Sequence, residues 1–305
     1  MAPSTDVHAL PPSRGRLRLR SVGLSSIRKP LVIERPGRVN SLAVAFRVGV
    51  DLPADRKGSD LSRNAEILAE IVDATVARPA VGLESACSAI ACELLARHTY
   101  ATEASVEASA EYFLRRGISP ERRSFEDYTL LAEARAVRGT DGTIAVERAV
   151  GAEAVGMTAC PCAMETCRER LLQEYPALAD PSLRDLPMIT HNQRNRTTLV
   201  FELTPGADVE VDEMIGAIEA AQSSPTYAIL KRGDEGQVVL DAHRRPKFVE
   251  DVIRDLLHSV PARFPALPDA VVVRATTVSE ESIHKYNVEA AHRLPLGELR
   301  RETAA

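Results

Sequence analysis

Glu103-Ala-Ser-Val-Glu-Ala-Ser-Ala-Glu-Tyr112 alternates without a break: the odd positions read Glu, Ser, Glu, Ser, Glu and the even ones Ala, Val, Ala, Ala, Tyr. A period of two places the two sets on opposite faces of a strand, one dry and one wet. Tyr128–Ala136 repeats the habit after the turn-rich Gly117–Ser124. Upstream the period changes. Ile67, Leu68, Ile71, Val72 and Val76 follow helical spacing within Ala65–Val76. Cys87, Ile90, Ala91, Leu94 and Leu95 do so within Leu83–Arg97, and Pro79 and Gly82 punctuate between the two. Further upstream, Val44, Phe46, Val48 and Val50 share a parity in Ser41–Leu52, with Leu31-Val-Ile before it.

The same order recurs downstream. Thr143–Ala159 is strand-like, and an insertion follows with a helical Ala163–Gln173 and a loop bearing Pro176, Pro181 and Pro187. Thr197–Leu203 reads as a strand, Val211–Ala221 as a helix, and Tyr227–Leu240 as a loop or short strands. Phe248, Val249, Val252, Ile253, Leu256 and Leu257 form the best amphipathic helix, with Pro246 near its start, and Ala270–Val278 reads as a strand. Strands, two helices, strands, and the same again predict an α+β protein with helices on one face of antiparallel sheet. The expected organisation is a basic flexible arm over 1–20, modules over 21–139 and 140–295 with an insertion at 163–190, and a tail over 296–305.

Composition narrows the function. The 305 residues are 45% hydrophobic and 27% charged, as in ordinary globular proteins. A net charge of −5, from 38 basic and 43 acidic residues, argues against a nucleic-acid coat. No stretch reaches the roughly 20 apolar residues of a membrane helix. Arg14, Arg16, Arg18, Arg20, Arg28 and Lys29 are followed by no apolar core of a secretory signal, so they read as a solvated arm. Of five cysteines, Cys160, Cys162 and Cys167 lie close together, which suits a reduced cytoplasmic chain with a metal-binding or reactive thiolate.

Four clusters could carry chemistry. In Thr158-Ala-Cys160-Pro-Cys162 the proline keeps Cys160 out of the helical region, presenting it at a strand end, while Cys167 falls in the helical stretch and reads as core. Thr190-His191-Asn192-Gln193-Arg194 sets a histidine and three strong hydrogen-bonding side chains at the start of a strand. Lys231-Arg-Gly-Asp-Glu235 reads by default as a solvated turn. Glu281-Ser-Ile-His284 pairs a carboxylate and an imidazole three residues apart. Glu250 lies on the polar side of the amphipathic helix, with Arg254 four residues on as its expected ion-pair partner. One thiolate, two imidazoles and one or two carboxylates suit a borderline ion such as Zn²⁺ or Fe²⁺. Arg63, Lys231 and Arg232 could neutralise phosphates.

These motifs, with Pro246-Lys-Phe-Val-Glu-Asp251, Val22-Gly-Leu, Leu52-Pro and Lys57-Gly58 followed by Ser62-Arg63, resemble in order the GTP cyclohydrolases of type IB and their archaeal relatives over about residues 20–290. The resemblance implies a bimodular tunnelling fold. It also implies a homo-oligomer, dimer or tetramer, with sites between subunits, and one divalent metal per subunit, Fe²⁺ favoured with Zn²⁺ or Mn²⁺ as alternatives. By motif position, Cys160, His191, Glu281 and His284 are the implied metal ligands, with Cys160, His191 and Glu235 catalytic. Glu250 is the implied anchor of the guanine N–H donors, with Arg63, Lys231 and Arg232 also facing substrate. The implied reaction adds water at C8 of GTP, releases formate and yields a dihydroneopterin triphosphate or 2′,3′-cyclic phosphate. The long Cys162–His191 spacing resembles the archaeal branch. Two departures stand out: Asp60-Leu61 where the family usually has His-Met, and Tyr286 where it usually has a second histidine. They leave open a paralogue acting on another purine nucleotide, or one that stops at ring opening.

Overall fold

The computed structural model describes residues 6–183 and 186–303. Its strands are β1 (Leu19–Arg35), β2 (Arg38–Leu52), β3 (Glu103–Ser119), β4 (Arg122–Arg138), β5 (Ile144–Ala159), β6 (Asn192–Leu203), β7 (Ser224–Pro225), β8 (Val272–Ser279) and β9 (Val288–Pro295). Its α-helices are α1 (Leu61–Ala77), α2 (Leu83–Arg97), α3 (Pro161–Glu174), α4 (Val211–Ala221), α5 (Arg232–Arg244), α6 (Val249–Arg263) and α7 (Leu296–Thr303). The chain packs as two compact units. One holds the chain up to Glu111 with Leu130–Val150 and Glu202–Thr204; the other holds Tyr112–Thr129, Gly151–Phe201 and Pro205 onward.

In the first unit β1 pairs antiparallel with β2, and β2 with β3, the register setting Phe46 opposite Ala108. Gly37, at φ +79°, makes the tight β1–β2 turn in a conformation that disfavours a side chain. The alternation read in β3 is realised: Ala104, Val106, Ala108, Ala110 and Tyr112 are buried while Glu107 and Glu111 face solvent. From β2, Val44, Phe46, Val48 and Val50 add to the same core. The helix α1 packs on β1 and α2, burying Ile67, Leu68 and Val72 beside Ile90 and Leu94. Each such side chain contributes about 1.5–3 kcal/mol on burial.

Three readings are corrected. Only Leu31-Val-Ile marked β1 in the sequence, yet the strand begins at Leu19. As an edge strand exposed over its first half it carries little alternation. Gly117–Ser124 is not a long turn; β3 and β4 extend to Ser119 and from Arg122, leaving Pro120 and Glu121 to reverse the chain. The described part of the arm is tied down. Arg18 donates to Asp51 Oδ2 at 2.7 Å and to Thr102 Oγ1 at 2.8 Å, and the Lys57 amide donates to the Leu10 carbonyl at 2.7 Å.

In the second unit the strands run in hydrogen-bonded order β5-β6-β8-β9, with β7 on β5. The helix α6 packs on β8, β9, α4 and α7. Phe201 meets Phe264 edge-on, ring centroids 4.9 Å apart. A buried polar ladder crosses this unit. Asn195 Nδ2 reaches Thr277 Oγ1 (2.7 Å), Gln222 Oε1 (2.9 Å) and Thr197 Oγ1 (3.1 Å), and Gln222 Nε2 reaches Thr197 Oγ1 at 2.8 Å. Networks of this kind hold strands in register, although Asn195 Oδ1 itself is buried without a partner.

The segment read as Tyr227–Leu240 loop is largely α5. Gly233 and Gly236 obscured it, but Asp234 accepts from the Lys231 amide at 2.9 Å and starts the helix. The expected tail at 296–305 contains α7, which buries Leu296 and Leu299. Cys167 is half-buried rather than core, since Met164 is the buried residue of α3. No helix among the described residues is long and apolar enough to cross a membrane.

Candidate active site

The ends of neighbouring strands build the site. At the end of β5, Cys160 caps α3 at φ −75°, ψ 119°, with Pro161 in the first helical position and the Ala163 amide 3.5 Å from its sulfur. Proline is tolerated there because a first-turn N–H has no helical partner. The Cys160 amide donates to the His191 carbonyl (3.0 Å), and Thr190 Oγ1 donates to the Cys160 carbonyl (2.7 Å). His191 is thus fixed just before β6. The Glu280 amide donates to the Arg194 carbonyl at 2.9 Å, which brings the segment after β8 alongside the start of β6. The Lys247 amide donates to the Ala159 carbonyl at 3.0 Å and seats the start of α6 on the end of β5.

A cavity of about 220 Å³ lies among these ends, lined by Cys160, His191, Gln193, Lys247, Glu250, Glu281, His284 and Tyr286 with four further residues. Five residues expected from the motifs therefore meet at one place within the second unit: Cys160, His191, Glu250, Glu281 and His284. Glu281 and His191 are nearly buried, their side chains 9% and 13% exposed, with His191 Nδ1 3.8 Å from Glu281 Oε2. Glu281 Oε1 accepts from Ser279 Oγ at 3.2 Å and from Gln193 Nε2 at 3.3 Å, while the buried Oε2 accepts no hydrogen bond. His284 lies in an irregular segment rather than a helix, exposed, and its ring stacks on Tyr286 with centroids 5.0 Å apart and planes within 10°. Lys247 Nζ is held by the Ala221 carbonyl at 2.7 Å and Asp255 at 2.6 Å.

The four implied ligands share the cavity but do not pre-assemble. Among the described residues, the only group of three or more His, Cys, Asp and Glu residues whose ligand atoms all fall within 4.8 Å of one another is Asp6, His8 and Asp60. That group sits beside two guanidiniums, Arg56 at 3.1 Å and Arg63 at 3.3 Å from Asp60, which disfavour a cation. Around the cavity the donor chemistry suits a borderline ion. The unpartnered Oε2 of Glu281 is a buried acceptor that costs free energy until something binds it. On both counts these residues fit a divalent metal.

Other expected residues lie elsewhere in the chain. Lys231, Arg232 and Glu235 are exposed at the start of α5 and do not line the cavity, because Asp234 turns that segment into a helix N-terminus. Arg63 is on α1 in the first unit, held by Asp60 and by the Arg97 carbonyl at 3.2 Å. Arg254 pairs with Asp251 at 3.3 Å rather than with Glu250. A larger cleft of about 560 Å³ in the first unit, lined by Arg18, Arg20, Asp51, Glu103 and Arg135, holds charges that already pair: Arg18 with Asp51, and Arg135 with Glu103, both at 2.7 Å. The motifs did not single out Lys247 or assign a role to Gln193. In the sequence one is a lysine ahead of a helix and the other a glutamine in a polar run; their roles arise from contacts across strands.

Known proteins place the chain. The family model described as type I GTP cyclohydrolase folE2 matches residues 5–290. GTP cyclohydrolase MptA of Methanosarcina acetivorans is 41% identical over 97% of this chain and 96% of its own length. MptA of Methanothermobacter thermautotrophicus is 37% identical over 93% and 91%. Among solved structures, uricase of Bacillus fastidious aligns with a TM-score of 0.52 at 13% identity, over 96% of this chain and 95% of that one. Uricase of Arthrobacter globiformis aligns at 0.51 and 8%, over 90% and 93%. At such identities the likeness concerns fold alone, and that fold is the α+β tunnelling fold. Family match, near full-length relatives and shared fold agree: the chain belongs to the type I GTP cyclohydrolases and is an enzyme of that kind.

Proposed function

We propose that the protein is a divalent-metal-dependent GTP cyclohydrolase that opens the imidazole ring of the guanine, releases C8 as formate and yields a dihydroneopterin phosphate. The observation that carries this reading is the meeting of Cys160, His191, Glu281, His284 and Glu250 around one cavity. Cys160, His191, Glu281 and His284 hold the ion. When bound, the ion supplies Lewis acidity, which makes water nucleophilic near neutral pH.

The chain's own groups do the rest. Glu250, exposed on the first turn of α6 at the cavity wall, accepts the paired N–H donors of the guanine edge. The cavity lies below the ~300–1,000 Å³ of ordinary ligand pockets, so it takes the base while the phosphates extend beyond it. Association into a homodimer or tetramer supplies Arg63, Lys231, Arg232 and Glu235 from a neighbouring copy, where the three cations meet the phosphates.

The protein, purified without oxygen and loaded with Fe²⁺, Mn²⁺ or Zn²⁺, should convert GTP to formate and a pterin. Mass spectrometry of the product separates the triphosphate, the cyclic phosphate and a ring-opened formamide. Failure to consume GTP with any ion overturns the reading. One observation favours a second reading, a paralogue for another purine nucleotide or for ring opening alone. Asp60, where the resembled family usually has histidine, already pairs with Arg56 and Arg63 and so weakens Arg63 as a phosphate partner.

A further inference from the structure

The geometry points to Gln193 as the positioning residue of the site: its one amide fixes the tautomer of His191 and the rotamer of Glu281, so that each keeps one atom free for the same ion. This rests on the metal-site reading above.

Gln193 Oε1 lies 2.9 Å from His191 Nδ1. A carbonyl oxygen only accepts, so Nδ1 carries the proton and Nε2 keeps its lone pair. On the other side, Gln193 Nε2 donates among Glu281 Oε1 (3.3 Å), Ser279 Oγ (3.1 Å) and Thr158 Oγ1 (3.3 Å). Turning the amide over would set its oxygen against the Glu281 carboxylate, acceptor against acceptor. The charge of Glu281 thereby dictates which end of Gln193 faces His191. Ser282 Oγ also approaches His191 Nδ1, at the longer distance of 3.4 Å.

The result is an ordered pair of half-satisfied ligands. One nitrogen of His191 and one oxygen of Glu281 are engaged by Gln193, leaving His191 Nε2 as the electron-pair donor and Glu281 Oε2 buried without a hydrogen bond. Partners of this kind around a metal typically set ligand affinity by 10–100-fold. Three elements contribute: Gln193 from β6, Ser279 from the end of β8 and Thr158 from β5.

The test compares wild type with Gln193→Ala and Gln193→Glu, in the full chain, by two readouts. Long-range ¹⁵N–¹H correlation on the metal-free protein reports the His191 tautomer, and chelator competition gives the Kd for Zn²⁺. The expected result is the Nδ1–H tautomer in wild type and its loss in Gln193→Ala, with Zn²⁺ binding weakened about 10–100-fold. Gln193→Glu again offers Nδ1–H an acceptor and so restores the tautomer, but not the Zn²⁺ affinity, because its second oxygen faces the Glu281 carboxylate, acceptor against acceptor. Gln193→Met keeps the volume without the hydrogen bonds and replaces the alanine variant if that fails to fold. Unchanged tautomer and Zn²⁺ affinity within twofold in Gln193→Ala, against a wild type that binds Zn²⁺, overturn the positioning role alone. A wild type that binds no divalent ion overturns the metal-site reading as well, which keeps the two failures distinct.

Discussion

Replacing Glu281 by glutamine should raise the stability of the metal-free protein while abolishing its response to metal. The carboxylate is 9% exposed and its Oε2 accepts no hydrogen bond, so the folded chain carries a buried, half-paired acceptor. Such a group costs about 1–3 kcal/mol, and more when charged. Glutamine has the same shape. Its oxygen keeps the bonds from Ser279 Oγ (3.2 Å) and Gln193 Nε2 (3.3 Å), and a neutral unpartnered amide nitrogen replaces an unpartnered oxygen of a carboxylate. A gain of about 1 kcal/mol follows for Glu281→Gln, or roughly 2–4 °C in Tm for a chain of this size. With an ion at a hundred times its Kd, wild type gains about 2.7 kcal/mol. The variant, stripped of a ligand, gains almost nothing. The order of melting temperatures therefore reverses between chelator and metal. Calorimetric scans of both proteins under both conditions read this directly. If Glu281→Gln melts below wild type in chelator and still rises with metal as wild type does, Glu281 is a structural acceptor and its assignment as a ligand fails.

Three further outcomes follow from single residues. Glu250→Gln should weaken guanine binding about 10–100-fold, since hydrogen bonds to a charged group contribute about 1.5–3 kcal/mol. Its melting temperature should stay unchanged because Glu250 is exposed; titration calorimetry with GTP that shows equal affinity would remove Glu250 from the base site. His98 is fully buried between Asn64 Oδ1 (2.6 Å) and Tyr100 Oη (2.9 Å). Burial above all, with the nearby positive Arg63 and Arg56 outweighing Asp60, holds its folded pKa below 6.5. The folded state then binds fewer protons than the unfolded one, so its contribution is complete above about pH 6.5 and is lost as pH falls through the lowered value. Urea midpoints from pH 7.5 to 5 should fall more steeply for wild type than for His98→Gln, and parallel curves would contradict this. Gly156→Ala would set a Cβ 2.4 Å from Cγ of Gln222, whose side chain is locked in the ladder with Asn195 and Thr197. Overpacking of that kind costs about 1–3 kcal/mol, and an unaltered denaturation midpoint would show that Gln222 yields freely.

Much of the architecture was written in local pattern. Unbroken alternation marked β2 and β3, and helical spacing marked α1, α2, α4 and α6, because those elements bury one face and the core imposes its period on them. β1 and α5 escaped that reading: β1 is an exposed edge over its first half, and α5 buries only Asp234, Val238 and Ala242 while carrying two glycines. An element that buries little leaves little trace in sequence. Motif order and chemistry likewise named Cys160, His191, Glu250, Glu281 and His284. Spacing along the chain could not gather them, since Cys160 follows β5, His191 precedes β6, Glu250 opens α6 and Glu281 and His284 follow β8, and they meet only because β5, β6 and β8 are neighbours in the sheet. The tertiary structure alone disclosed that Gln193 couples His191 to Glu281, that Glu281 Oε2 stands unpartnered, and that Lys231, Arg232 and Glu235 do not line the cavity. Pairing is a property of distances across strands, and residue identity along a strand does not encode it.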